Sequence, residues 1–128
     1  MNAKTTSLFV YGSLMRGLVH HNEMRGATFI GEKKLLAHHL VLYEDAYPAL
    51  VQGTSAEHTV VLGELYVVSS LHLARLDTFE ECPNLYQRRS VELSDGVAAQ
   101  TYGISAERAR VYPVISGDFR QYLHHLGQ

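Results

Sequence analysis

The sequence predicts an α+β fold that is rich in strands. A sheet curls toward a small barrel, and one or two helices pack on it. Three observations predict this. Short runs of β-branched and aromatic residues recur along the 128 residues. An Asp-Gly step joins two of those runs, which is a strong hairpin signal. Only two stretches combine helix-capping residues with apolar side chains at helical spacing.

Taken in order, residues 6–12 (TSLFVYG) read as a strand that ends at Gly12. Residues 27–53 (ATFIGEKKLLAHHLVLYEDAYPALVQG) read as two or three strands, broken at Gly31 and at the Glu44-Asp45 turn. Residues 58–68 (HTVVLGELYVV) form the clearest strand, and Gly63 inside it suggests a bulge or a close backbone approach. Residues 69–81 (SSLHLARLDTFEE) open with the N-cap candidates Ser69 and Ser70 and read as a helix. Cys82, which precedes Pro83, is biased away from helical geometry and ends it. Residues 90–93 and 97–104 flank Ser94-Asp95-Gly96 as the two arms of a hairpin. Residues 116–128 carry Phe119, Tyr122, Leu123 and Leu126 at helical spacing.

Composition bounds the rest. At 128 residues, with 46% hydrophobic and 19% charged residues, one domain spanning 1–128 with its own core is expected. A net charge of −2 argues against a nucleic-acid partner, which calls for a basic stripe. The single cysteine allows no internal disulfide and fits a reducing compartment. The opening MNAKTTSLFV is too short in apolar residues for a secretion signal. No run reaches the roughly 18 apolar residues of a membrane span. A cytoplasmic protein with no membrane partner is therefore expected.

The first helix holds one anomaly. On a wheel of about 100° per residue, Leu73, Leu76 and Phe79 make an apolar arc, and Glu80 falls roughly 20° from Leu73. Asp77 and Glu81 fall outside the arc, toward water, and Leu71 misses the stripe at the frayed start. A carboxylate on a buried face is costly unless it is paired, hydrogen-bonded or neutral. Burial also raises its pKa toward the range where it exchanges protons near neutrality. Glu80 is thus either an acid/base group or a structural partner of Arg88 or Arg89. Tyr86, which leads the next strand, could orient that carboxylate or hold a ligand; an ordinary strand tyrosine is the simpler reading.

Two stretches taken together resemble the γ-glutamylcyclotransferase-like family, and its γ-glutamylamine cyclotransferase branch in particular. They are VYGSLMRG after the first strand and LDTFEECPNLYQR some sixty residues later. YPALV and Gly63-Glu64-Leu65-Tyr66 sit between them where the family carries similar segments. The likeness covers roughly Ser7 to Ser94 and fades afterwards.

The resemblance implies a small mixed α/β barrel. It also implies a γ-glutamyl amide as the small-molecule substrate, and a reaction that closes 5-oxoproline and frees an amine without a cofactor. Tyr11, Gly12, Ser13 and Leu14 would hold the γ-glutamyl moiety, largely through backbone groups. Tyr86 would contact the substrate, and Glu80 would be the general acid/base. Gly12 would let the backbone approach the ligand closely. Glu81 stands where relatives often have a small or uncharged residue, and would either raise the Glu80 pKa or face solvent.

Other candidates rank lower. Ser13 lacks the G-x-S-x-G elbow of a serine nucleophile, and a tethered substrate amine makes one unnecessary. Arg16 could draw an acidic substrate to the mouth, though a solvated turn residue is the simpler reading. Cys82 has acidic neighbours that oppose thiolate formation and is read as structural. The pairs His20-His21, His38-His39 and His124-His125 show no zinc-protease or Cys/His spacing, so no metal is expected. A non-catalytic small-molecule-binding domain on the same fold is the alternative function. The amine half of the substrate and the oligomeric state stay open at this point.

Overall fold

Strand formers dominate the chain, and the described residues form eight strands. The structure, a computed structural model, describes residues 4–55, 58–82 and 84–127. The strands are β1 (Thr5–Val10), β2 (Thr28–Leu36), β3 (His38–Tyr43), β4 (Tyr47–Gln52), β5 (Val60–Ser69), β6 (Gln87–Glu92), β7 (Ala98–Gly103) and β8 (Val114–Ile115). The helices are α1 (Ser70–Phe79), the one-turn α2 (Ala106–Ala109) and α3 (Phe119–Leu126), with a 3-10 turn at His21–Met24. The mixed, strand-rich fold class expected from the sequence is the one observed.

The strands divide between two sheets and not one. Five strands run in the order β2-β5-β1-β7-β6, and three in the order β4-β3-β8. β1 is antiparallel to β5 and parallel to β7, so it lies in the middle of the larger sheet. Its Leu8 and Phe9 are fully buried, as are Leu40 of β3 and Leu50 of β4, and one apolar cluster takes side chains from both sheets. Backbone hydrogen bonds stitch the sheets where strands end: Ile104 N–H donates to the Leu50 carbonyl at 2.9 Å.

The 27–53 region yields three strands, but Gly31 does not break them. β2 runs through Gly31 with a register irregularity between Phe29 and Gly31. The breaks fall at Ala37 and at Glu44-Asp45, all three in the left-handed region with φ of 60°, 52° and 58°. Gly63 marks a close approach, with no register shift against β2. A Cβ there would lie 2.4 Å from the Val10 carbonyl oxygen and 2.6 Å from Phe9 Cζ.

Ser69 is the N-cap of α1, and its hydroxyl accepts from the His72 N–H at 3.1 Å. Leu73 and Leu76 are buried, and Leu71 is exposed. Asp77 departs from its expected solvated role: it accepts from the Tyr102 hydroxyl at 2.6 Å and from Arg88. The role assigned to Pro83 falls outside the described residues.

The stripe expected on α3 is only half used. Phe119 is buried and Tyr122 stacks on it, whereas Leu123 and Leu126 are exposed. The first turn meets the body, where Arg120 reaches the Arg16 carbonyl at 2.7 Å; the last turn does not bury its leucines. Among the described residues no helix is long and apolar enough to cross a membrane.

Candidate active site

β1 stops where Tyr11 leaves the ladder and its hydroxyl ties the two sheets together. That oxygen donates to the Tyr102 carbonyl at 2.7 Å and accepts from the Leu50 N–H at 3.2 Å. The next residue must be small. A Cβ on Gly12 would lie 2.7 Å from Pro48 Cγ, so the Pro48 ring occupies the side-chain position. The glycine thus makes room for a packed proline, and Gly12 itself lines the cavity.

The chain then folds on itself. The Met15 N–H donates to the Gly12 carbonyl, and the His20 N–H to the Ser13 carbonyl, both at 3.0 Å. The N–H groups of Gly12, Ser13 and Leu14 have no acceptor among the described residues. Three consecutive unpaired amides at a turn are the kind of array that receives an anion or a developing oxyanion.

From the other side, α1 delivers Glu80. The helix ends in a Schellman-type cap, in which the Glu81 N–H donates to the Thr78 carbonyl and the Cys82 N–H to that of Asp77. Glu81 occupies the left-handed position of this cap with φ 53°, where glycine is the usual residue. Glu80 is the C-cap, with φ −83° and ψ 2°. That is close enough to helical geometry for the wheel to place its side chain inward. Tyr11, Gly12, Ser13, Leu14, Glu80 and Tyr86 all line one cavity of about 220 Å³.

The carboxyl of Glu80 has no ion pair and no hydrogen bond among the described residues. Arg88 goes to Asp77, so the structural alternative of an Arg88–Glu80 bridge is not what forms. Burial alone pushes Glu80 up to about 7. Glu81 is exposed at the rim and is not among the causes of that shift.

Three tyrosines, Tyr11, Tyr86 and Tyr102, are near enough for the Glu80 charge to oppose their ionisation, although burial is the larger cause in each. Each gives its proton elsewhere. Tyr11 donates to the Tyr102 carbonyl, Tyr86 to the Pro48 carbonyl at 3.0 Å, and Tyr102 to Asp77. The Tyr86 hydroxyl therefore does not orient the carboxylate. It fixes β4 beneath the cavity.

Sequence reasoning missed several features. His20 lines the cavity with Nδ1 at 2.8 Å from Ser13 Oγ and its ring edge-on to Phe79. The adjacent His20-His21 signal is visible in the sequence, where it raises only a metal question. Of the three pairs only His38-His39 lies in a strand, and each of its Nδ1 atoms meets a carbonyl. Among the described residues no three His, Cys, Asp or Glu side chains gather as a metal site. Cys82 is partly buried and does not line the cavity.

Arg16 does not line the cavity; it is an exposed turn residue, as the simpler reading has it, and its N–H and Nε bind Glu64 while its guanidinium lies over the Phe29 ring. A larger, more open groove of about 650 Å³ covers this cluster. Three of its charges are engaged in ion pairs, Arg16 and Arg120 on Glu64 and Lys33 on Asp95, whereas Glu32, Lys34 and Asp118 have no ion pair among the described residues. The smaller cavity, with its unengaged carboxyl and amides, is the better reactive site.

Comparison with known proteins gives a consistent picture. Residues 8–121 match the family described as gamma-glutamyl cyclotransferase, AIG2-like, so the likeness continues well past Ser94. A Vibrio cholerae protein, whose name places it provisionally among the γ-glutamylcyclotransferases, is 34% identical over 89% of this chain and 95% of its own. The γ-L-glutamyl-butirosin B γ-glutamyl cyclotransferase of Niallia circulans is 40% identical over 59% of this chain and 46% of its own. The crystal structure of a Mus musculus AIG2-like protein superposes with a TM-score of 0.75 at 29% identity, covering 87% of this chain and 86% of that one.

Proposed function

We propose, from the premise that the chain belongs to the gamma-glutamyl cyclotransferase, AIG2-like family, that its cavity converts a γ-glutamyl amide into 5-oxoproline and a free amine. The observation that carries this reading is the lone Glu80 carboxyl, raised to about 7 by burial, in one cavity with the unpaired amides of Gly12, Ser13 and Leu14.

Glu80 takes a proton from the substrate's α-ammonium. The freed amine attacks the γ-carbonyl carbon and closes a five-membered ring. The amides of the turn receive the negative charge that develops on the γ-oxygen. As the C–N bond to the leaving amine breaks, Glu80 returns the proton to that nitrogen. The second proton that the ring nitrogen carries after attack then passes to the regenerated carboxylate and on to the freed amine, which leaves as an ammonium ion. Electrons and protons balance without a co-reactant.

Because the nucleophile is tethered, most of the acceleration comes from holding the substrate folded, a contribution that reaches about 7–11 kcal/mol in ideal cases. Proton transfer through a placed carboxylate adds about 10²–10⁴-fold. A pKa near 7 suits both halves of that transfer, since the group is a competent base and a competent acid in turn.

The test is to supply γ-glutamyl amides of several amines and measure 5-oxoproline. Product is expected, with kcat/KM rising as pH climbs through about 7, because Glu80 must be ionised to start the cycle. Inertness toward every amide tried would favour the second reading, a non-catalytic domain that binds a small molecule on this fold.

A further inference from the structure

A γ-glutamyl substrate carries an α-carboxylate, and the cavity must seat that anion close to the acidic side chains of Glu80 and Glu81. Among the described residues the lining contains no lysine and no arginine. The hydroxyls of Tyr11, Tyr86 and Tyr102 donate to protein acceptors. The donors left are the amides of Gly12, Ser13 and Leu14, the Ser13 hydroxyl, the His20 imidazole, and Tyr47 at the mouth. Tyr47 is 49% exposed, so water competes for its hydroxyl.

We propose that His20 binds the substrate's α-carboxylate through Nε2, leaving the turn amides for the γ-carbonyl oxygen; this rests on the cyclotransferase reading above. The ring is held at two points. Nδ1 is 2.8 Å from Ser13 Oγ. Its edge meets the ring of Phe79 at 5.2 Å between centroids, and Phe79 directly precedes Glu80. In the proposed arrangement the Ser13 hydroxyl donates into Nδ1, one of the two directions this contact allows, and the proton sits on Nε2, which has no partner among the described residues. A fixed N–H donor is what a carboxylate needs in a recess that otherwise repels it. The same geometry gives Ser13 a positioning role through its side chain, beside the largely backbone role that the resemblance implies.

The experiment compares two substrates that differ only in the carboxylate: a γ-glutamyl amide and the matching N-substituted 4-aminobutanamide, which closes to 2-pyrrolidinone. His20→Asn keeps a polar atom near Nδ1 for Ser13 and removes the Nε2 donor. His20→Gln places an amide N–H near the Nε2 position. With His20→Asn the KM for the γ-glutamyl amide is expected to rise about 10–100-fold, the range for a hydrogen bond to a charged group. The KM for the 4-aminobutanamide is expected to stay within about twofold, since it lacks that bond. His20→Gln should recover part of the loss.

The ratio of kcat/KM for the two substrates, read in one preparation, is independent of how much of a variant folds. A ratio unchanged by His20→Asn overturns the assignment while the cyclotransferase reading stands. If the wild type forms lactam from neither substrate, that reading falls and this assignment falls with it. Tyr47→Phe serves as the control at the mouth: a larger change in the ratio than His20→Asn would move the carboxylate to Tyr47 and also overturn the proposal.

Discussion

Glu64 and Glu80 are both carboxylates drawn into the protein, and their surroundings treat them in opposite ways. Glu64, on β5, is fully buried. Burial is the largest single influence on it and acts to raise its pKa. Four donors oppose that: the Arg16 N–H and Arg120 Nη2, each at 2.9 Å, the Tyr66 hydroxyl at 2.9 Å, and Arg16 Nε at 3.1 Å. The net result is a lowered pKa. Glu80 retains some access through its cavity and has no donor among the described residues, and it is raised to about 7.

The difference teaches that depth does not decide protonation here; the supply of donors does. A tyrosine serves Glu64 directly, whereas the three tyrosines around Glu80 are turned to other acceptors. Withholding donors keeps a carboxyl reactive, and crowding it with donors makes it a rivet.

The sharpest way to break this comparison is to neutralise each group in turn. Glu80→Gln is expected to reduce 5-oxoproline formation by about 10²–10⁴-fold with the fold intact; normal turnover would remove Glu80 from the chemistry. Glu64→Gln should do the reverse. It removes the partner of two arginines, and breaking a fully buried pair costs about 3–5 kcal/mol. Arg16 and Arg120 have side chains 49% and 42% exposed, so they can turn to water and the loss should be nearer 2–3 kcal/mol. Chemical denaturation measures this, and kcat at a temperature where the variant is folded should change less than about twofold.

A third test uses pH. Glu80 has an ordinary value of 4.5 and a folded value of about 7, so between those values the folded protein binds the extra proton. Its contribution is fully present below about pH 4.5 and is lost as pH rises to about 7. Glu80→Gln cannot lose it. The variant should gain on the wild type across that window, by about 2 kcal/mol once access to the cavity is allowed for. Glu64 has the opposite sign, since its stabilisation is lost as pH falls through its lowered pKa. A flat difference between Glu80→Gln and wild type from pH 4.5 to pH 8 would show that Glu80 is not desolvated.

The smallest effect concerns the cap that aims Glu80. Glu81 holds φ 53°, and glycine there should raise stability by about 1 kcal/mol. A drop in thermal midpoint would mean that the Glu81 side chain contributes something the cap geometry does not show.

Local signals made much of this molecule legible in the sequence. β-branched runs marked the strands, Asp95-Gly96 marked the hairpin between β6 and β7, and Ser69 marked the start of α1. The inward lean of Glu80 was readable because helical periodicity extends one residue past the last helical turn. These are features of a few consecutive residues, and chain stiffness and side-chain alternation determine them before any tertiary contact forms. The partners of those residues were not legible. Arg16, Glu64 and Arg120 come together from three separate segments. The Tyr11 hydroxyl finds Leu50 and Tyr102, Pro48 fills the space above Gly12, and His20 folds back on Ser13. No periodicity encodes such meetings. They follow from how two sheets pack, and packing decided that, among the described residues, one buried carboxylate has four donors and the other has none.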